Sequence, residues 1–568
     1  MRILTLLCMI VYTDHSFAQI PSASEKTRII LTSDAEIDDE CSFVRCLLYA
    51  NDFDIEGIIT TSSQYHAHDH NWAGDDWYVK YLDAYTEIYP NLIKHDTSYP
   101  TSDYLKERAF LGNVEKEGEM DSITPGSQHI VRVLLDESDD RPVWLQAWGG
   151  MNTIARALKT IEEEHPDKMT YVGNKIRFFF IWEQDETFQT YIRPKWGMYN
   201  IPTIISDQFI ALFYKWKEYI PAEQQKFLVG EWINENIKIN HGPLCSLYKS
   251  QDNGDFRSEG DSPSFMHAIP TGLRNLESPD WGGWAGRYTN IRDNTWLDPV
   301  AEPGYQYPEG RWYTNTAWGR ERLRKEILND TVLTAYLKPI WRWMETFQND
   351  FASRADWCVK SFEESNHPPV IVLDNEADLK VRPGTSVELS AQGTSDPDGD
   401  SLTYRWWQYR EAGSYDGIIE ILDAGKQEAS FTVPDNFHKG KTIHIICEVT
   451  DSGAPQLTRY ARVVIESDTT FVTEMVNRGF ESSGLYLKSI HPNPFNPVAT
   501  LGYRLNKPNK VISKIYNLSD QEIETLVDQY QTVGEHEITW QPQRLPCGIY
   551  FCRLLAGINS ETMKILLQ

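Results

Sequence analysis

From about residue 26 to about residue 360, short apolar runs alternate with longer runs of helical period; beyond Asn366-His367-Pro368-Pro369 only the short runs continue. That change of period constrains the fold more than any single motif. Alternating strands and helices build a parallel sheet covered by helices, whereas strands alone build sandwiches or barrels. In the first part, residues 28–31 form a β-branched run, residues 38–50 place Phe43, Val44, Leu47 and Leu48 on one helical face, and residues 54–61 return to strand pattern. The unit recurs with an apolar run at 142–147, a helical stretch at 152–163 and a wholly apolar run at 176–182, the pattern of a strand buried on both faces. The reading is an α/β domain over residues 26–362 with a mostly parallel sheet flanked by helices. Two all-β immunoglobulin-like sandwiches follow, over 366–466 and 486–568.

Composition narrows the function. A formal net charge of −28 with no long Lys/Arg run excludes a nucleic-acid partner, because such a chain repels phosphate. Nineteen Trp and 29 Tyr exceed what a core needs, so some rings are expected to face ligands, with sugars first among them. Residues 1–18 read as a secretory signal: Arg2, then the apolar run from Ile3 to Tyr12, then the small-x-small site Ser16-Phe17-Ala18. No stretch reaches the ~18 apolar residues of a membrane span, so the expectation is an exported protein without a transmembrane anchor. Of the eight cysteines, Cys8 lies in the signal; Cys41 and Cys46 sit in a helical pattern as buried free thiols, and Cys547 and Cys552 are spaced to pair or stay apart.

The sharpest chemical signal is Leu31-Thr32-Ser33-Asp34-Ala35-Glu36-Ile37-Asp38-Asp39, four acids in the turn between the first strand and its helix. In an open parallel sheet this turn lies at the carboxyl edge, where ligands bind. Close carboxylates repel, and the helix N-terminus offsets only about half a charge, whereas a hard divalent cation offsets two and prefers carboxylate oxygens. The plain alternative is helix capping by Asp38 with Asp39 as a first-turn acid. Three acids after a buried strand favour the metal.

These residues resemble the opening motif of the nucleoside hydrolases, D-x-D-P-G-x-D-D: Asp34, Ile37, Asp38 and Asp39 match, Thr32 replaces the first Asp and Ala35-Glu36 replace Pro-Gly. Trp148-Gly149-Gly150-Met151-Asn152-Thr153-Ile154-Ala155 is similar to the superfamily's G-P-L-T-N-I-A segment, and Glu259-Gly260-Asp261-Ser262-Pro263-Ser264-Phe265 to its late H-D-P segment. The latter, with Asp280-Trp281-Gly282-Gly283-Trp284-Ala285-Gly286-Arg287-Tyr288, looks like an exported branch labelled cellulose-binding. The resemblance implies a calcium ion ligated by Asp34, Asp39, the Asn152 carbonyl and Asp261, with Asp34 as base toward a metal-bound water and Asp38 on sugar hydroxyls. Gly260 stands where those enzymes place a His, so nucleobase specificity does not carry over. The implied activity is calcium-dependent hydrolysis of an N-glycosyl or other glycosidic bond; the alternative is a non-catalytic polysaccharide-binding protein on the same fold.

Three further features stay open at this point. Glu183, Gln184 and Asp185 follow an apolar strand and either face the sugar or form a solvated loop. His66, His68, Asp69 and His70 form an exposed or substrate-facing loop rather than a zinc site. Asp396-Pro397-Asp398-Gly399-Asp400 is a turn or a calcium loop, and of the adjacent Trp406 and Trp407 one is expected in the core and one exposed. The tail, with His491-Pro492-Asn493-Pro494-Phe495-Asn496-Pro497 and Gly548-Ile549-Tyr550-Phe551, resembles the sorting domain of type IX secretion or a related flagellar-hook-assembly-like sandwich. It implies export machinery as a partner and a secreted or cell-surface destination.

Overall fold

A computed structural model describes residues 26–297, 337–468, 485–495, 498–505, 507–517, 521–542, 545–556 and 559–567. The signal read at residues 1–18 lies outside them. No helix among the described residues is long and apolar enough to cross a membrane.

The first part is built on an eight-stranded sheet in the order β3-β2-β1-β4-β5-β6-β8-β7. Its strands are β1 (Thr27–Ser33), β2 (Phe53–Thr60), β3 (Ala109–Leu111), β4 (Val143–Ala147), β5 (Ile176–Ile181), β6 (Thr203–Ser206), β7 (Thr289–Arg292) and β8 (Thr295–Leu297). All neighbours run parallel except β7 against β8. Helices α1 (Ile37–Leu48), α2 (Val79–His95), α3 (Ser102–Lys106), α4 (Pro125–Leu135) and α5 (Asn152–Glu164) connect the early strands. The sheet is buried on both faces: Ile29 and Leu31 of β1 join one apolar cluster and Ile30 joins the other. After β1 the chain winds outward through β2 and β3, then crosses to β4 on the other side of β1. The reversal leaves a crevice at the carboxyl ends of β1 and β4, the place where open α/β sheets bind ligands.

The second part has a four-stranded sheet in the order β11-β13-β14-β9 and a two-stranded sheet of β10 and β12. These are β9 (Asp378–Val381), β10 (Ser386–Ser390), β11 (Thr403–Gln408), β12 (Glu428–Thr432), β13 (Thr442–Thr450) and β14 (Thr458–Ser467). They share a core around Trp406, Phe431, Ile445 and Val463. This sandwich and the α/β part form one compact unit ending at Glu466. Tyr409, Ile446 and Tyr460 belong to the same apolar cluster as the α/β core. Arg462 donates to the carbonyls of Trp281 and Gly282 at 2.9 and 3.0 Å, and Arg274 reaches Asp378 at 2.9 Å. Trp407 is not an exposed platform: its ring packs 6.1 Å from Trp343 and 5.4 Å from Tyr409, because the seam needs an apolar surface there.

The last part, residues 467–568, is a separate compact unit. Its sheets run β15-β16-β19 and β18-β17-β20-β21. These strands are β15 (Leu485–His491), β16 (Ala499–Leu505), β17 (Asn509–Tyr516), β18 (Glu522–Gln531), β19 (Gly534–Trp540), β20 (Gly548–Ala556) and β21 (Asn559–Leu567). Cys547 and Cys552 do not pair: Cys547 is exposed, while Cys552 is buried inside β20 against the Ser513 hydroxyl at 3.5 Å. Cys41 and Cys46 are buried free thiols, as read from their helical spacing.

Candidate metal centre and cleft

β1 ends at Ser33, and the chain turns sharply through Ala35, whose φ of 62° is left-handed, before α1 begins at Ile37. Glu36 is the N-cap residue, and its side chain makes no capping bond. The capping explanation for the acids therefore fails at Asp38. Asp38 and Asp39 are instead buried in the first turn, 4% and 2% exposed. Asp261 comes from the opposite side, at the start of the short helix Ser262–Met266, and is 1% exposed. The carboxylate oxygens of Asp38, Asp39 and Asp261 lie within 4.8 Å of one another, a spacing that can hold a metal ion. Asp39 is in side-chain contact with both Asp34 and Asp261, so Asp34 joins the same cluster. Two acids more than 200 residues apart in sequence thus meet at the sheet edge.

What surrounds these acids is informative. Ser63, in the loop just beyond β2, donates its hydroxyl to Asp34 Oδ2, and Ser33 donates to Asp39 Oδ1 at 2.6 Å. Tyr214 donates to Asp38 Oδ1 at 3.3 Å. Among the described residues no lysine or arginine pairs with any of the four aspartates, and the His66 ring lies beside Asp34, its Nδ1 3.3 Å from the Asp34 carbonyl oxygen. Asp34 Oδ1 and Asp261 Oδ2 are buried without a hydrogen-bond partner. Burial pushes all four carboxyls up. Asp38 reaches about 7, with the charge of Asp34 adding to burial. Asp39 stands well above the usual range through burial and then Asp261, and Asp261 through burial and then Asp38. Four crowded acids with two orphaned oxygens and no lysine or arginine counter-ion fit a bound divalent cation, whose charge would reverse these shifts.

Three glycines make the crowding possible. A Cβ on Gly149 would meet the Asp34 Cβ at 2.8 Å, and one on Gly150 would meet Asp185 Oδ2 at 2.4 Å. A Cβ on Gly260 would meet Asp38 Oδ2 at 2.6 Å and the Phe209 ring at 3.1 Å. The residue before Asp261 therefore has to lack a side chain in this chain.

Glu183, Gln184 and Asp185 are buried, so the solvated-loop alternative is excluded. Trp182 just before them is left-handed at φ 60°. Only Gln184 lines the cleft; its Nε2 also ties down the Trp148 carbonyl at 2.5 Å, and its Oε1 has no partner. Asp185 departs from the expected substrate role. Its Oδ2 accepts the Asn152 N–H at 2.8 Å, and its Oδ1 accepts the Thr187 N–H at 2.8 Å and the Thr187 hydroxyl at 2.6 Å. Its carboxylate is spent in fixing the turn into α5. Glu183 accepts Gln189 Nε2 at 2.9 Å. Asn152 opens α5 with its side chain engaged by Thr61, Ser62, Asn113 and Glu119. That amide ties the loop after β2 to the loop after β3.

Above the acids lies a cleft of about 440 Å³, part of it open to solvent, lined by Glu36, Asp38, Tyr65, Trp182, Gln184, Phe209, Phe213 and Tyr214 among others. The aromatic lining escapes sequence reasoning, because the rings come from three separate loops. In the histidine loop, His68 pairs with Asp75 at 2.9 Å and His70 with Asp69 at 2.5 Å, while only His66 turns toward the cluster, 3.3 Å from the Asp34 carbonyl. The three do not form a zinc shell.

Comparison with known proteins agrees with this architecture. Residues 28–288 match the family described as cellulose-binding Sde182, nucleoside hydrolase-like domain. Residues 386–467 match the C-terminal domain of cellulose-binding protein Sde0182, and residues 489–568 a secretion system C-terminal sorting domain. Among solved structures, a nucleoside hydrolase-related protein from Saccharophagus degradans associated with carbohydrate metabolism is 29% identical, with a TM-score of 0.62 over 78% of this chain and 100% of its own. A plant nucleoside hydrolase is 11% identical with a TM-score of 0.25, over 55% of this chain and 98% of its own; at that distance it carries no argument. No curated protein matches the chain.

Proposed function

We propose that this chain, with a nucleoside-hydrolase-like domain, a C-terminal domain of the cellulose-binding type and a secretion sorting tail, is an exported calcium-dependent hydrolase of N-glycosyl or other glycosidic bonds. Residues 26–362 carry the chemistry, 366–466 brace it and 486–568 serve export. The observation that carries the reading is the buried meeting of Asp34, Asp38, Asp39 and Asp261 with two orphaned oxygens and no lysine or arginine partner among the described residues. Asp34, Asp39 and Asp261, with the Asn152 carbonyl taken from the motif, are the proposed ligands. Calcium there supplies Lewis acidity that lowers the pKa of water at the site.

The residues of this chain do the rest. Asp34, held in place by Ser63, takes the proton as water attacks an oxocarbenium-like anomeric carbon. Asp38, oriented by Tyr214, binds a sugar hydroxyl, and Gln184 offers its unpartnered Oε1 to another. Trp182, Phe209 and Phe213 form an apolar wall against which the flat face of a sugar or aglycone packs. Burial of the acids keeps bulk water out and strengthens each of these contacts.

The test is turnover of a panel of nucleosides and aryl glycosides, with and without a calcium chelator. Activity that disappears on chelation, returns with calcium and falls by orders of magnitude in Asp34→Asn supports the hydrolase. Polysaccharide binding that is indifferent to chelation, with no turnover anywhere in the panel, supports a binding protein instead. That second reading is favoured by the cellulose-binding description of the matched families.

A further inference from the structure

We propose that Cys245 and Cys358 are joined by a disulfide in the exported protein. Both thiols are free in the structure, with their sulfurs 3.9 Å apart, and both are buried. A bonded pair requires about 2.05 Å, so the sulfurs have to close by just under 2 Å. Rotation of the two side chains supplies that approach, because the backbones are already pinned together. Cys245 belongs to the short helix Gly242–Ser246, and Cys358 directly follows the helix Met344–Trp357. His241, just before the first helix, pairs with Asp356 at 3.2 Å. Gly242 has a left-handed φ of 84°, and a Cβ there would lie 3.6 Å from the Cys358 Cβ and 3.0 Å from Ile88 Cγ2. Asn91 of α2 donates to the Cys358 carbonyl at 2.7 Å, fixing the other side. No other two thiols are brought into contact among the described residues.

The proposal rests on the export that the sorting tail implies, and not on the glycosidic reading. Outside the cytoplasm two thiols held this close oxidise and stay oxidised. Two S–H bonds break and one S–S bond forms; the two electrons, and by way of solvent the two protons, pass to the disulfide of a thiol–disulfide oxidoreductase, whose S–S bond breaks and which leaves as a dithiol. The attacking species is a thiolate, and burial pushes the Cys358 thiol well above the ordinary range. The folded, reduced protein is therefore expected to oxidise slowly.

The consequence is local to the acid cluster. The bond closes a loop spanning 113 positions that contains Glu259 and Asp261, so it restrains the unfolded segment that must deliver Asp261 to the metal centre.

The full-length protein recovered from an extracytoplasmic compartment of the host is blocked with N-ethylmaleimide in denaturant, reduced, relabelled with iodoacetamide and mapped by mass spectrometry. The expected result is that Cys245 and Cys358 alone carry the second label, and that the unreduced digest contains their cross-linked peptides. First-label modification of both residues, or a cross-link from either to a different cysteine, overturns the proposal. Melting of the same protein gives a second readout that needs no variant. A reductant present throughout unfolding lowers its Tm, whereas an unchanged Tm counts against the bond. Where Cys245→Ser folds, its Tm is expected to be insensitive to reductant.

Discussion

Replacing Asp38 by Asn isolates the electrostatic cost on which the metal reading depends. The folded protein holds this carboxyl at about 7 against an ordinary 3.8, through burial and the charge of Asp34. A carboxyl whose pKa is raised by folding stabilises the native state fully below the unfolded value and loses that contribution as the pH climbs to the folded value. The difference of about 3 units, at 1.36 kcal/mol each, is on the order of 4 kcal/mol of stability lost between pH 4 and pH 8 in the absence of cation. Asn keeps the shape and an oxygen to accept the Tyr214 hydroxyl, but cannot ionise. In chelator at pH 8 Asp38→Asn is therefore expected to be the more stable protein. With roughly 440 residues unfolding at about 2.1 cal/mol/K each, the gap is on the order of 4 °C in Tm. Differential scanning calorimetry at pH 5, 6, 7 and 8, with chelator or with calcium, reads it out. The gap should shrink toward pH 5, and calcium should raise the wild-type Tm more than that of the variant. A variant no more stable than wild type at pH 8 in chelator, or a gap equal at pH 5 and pH 8, would refute the argument that crowded, uncompensated carboxylates define the site.

Three other substitutions test separate parts of the structure. Gly260→His, which restores the residue that nucleoside hydrolases carry there, is expected to lose soluble yield and calcium binding and to gain no nucleoside turnover, since its Cβ meets Asp38 and Phe209; isothermal titration with calcium and a nucleoside assay check this. Asp185→Ala removes the acceptor for one bond from the start of α5 and two from Thr187 in its own loop, leaving buried donors unpaired, which costs about 2–3 kcal/mol in a urea melt; an unchanged midpoint would return Asp185 to the cleft-facing role. Arg45→Met strands the buried Glu259, which Arg45 pairs at 2.6 Å, and should cost about 3–5 kcal/mol by circular dichroism melting.

The sequence was legible where local pattern and final environment coincide. Ile29, Ile30 and Leu31 form an unbroken apolar run because β1 is buried on both faces, and that alone announces a central parallel strand. Asp34, Asp38 and Asp39 could be found because a strand, a tight turn and a helix must bring neighbouring acids to one edge. Asp261 was legible only through its resemblance to a known segment, since no local rule links it to the first turn. The fate of Asp185 was hidden: an acid after a strand looks alike whether it meets a ligand or the N–H of Asn152, and tertiary packing decides. Of Trp406 and Trp407, one was expected in the core and one exposed; Trp406 is the core residue, but Trp407 is half-buried rather than exposed, because it packs on Tyr409 and on Trp343, which comes from an element that spacing does not connect to it. The cleft wall of Trp182, Phe209, Phe213 and Tyr214 could not be assembled from spacing at all.

The seam between the α/β part and the first sandwich bears on how this chain can evolve and be engineered. Arg462 is buried with its guanidinium pointed at the carbonyls of Trp281 and Gly282, and Arg459 is paired at 2.6 Å with Asp350, itself only 2% exposed. Strip away the sandwich and Asp350 loses one of its two arginine partners, while Trp284 and Trp343 lose the cover that Arg459 and Tyr460 give them. The two parts are thus not interchangeable cassettes. Recombination that swaps one without the other delivers a mismatched surface, so engineered substitutions at the seam have to be made in compensating pairs.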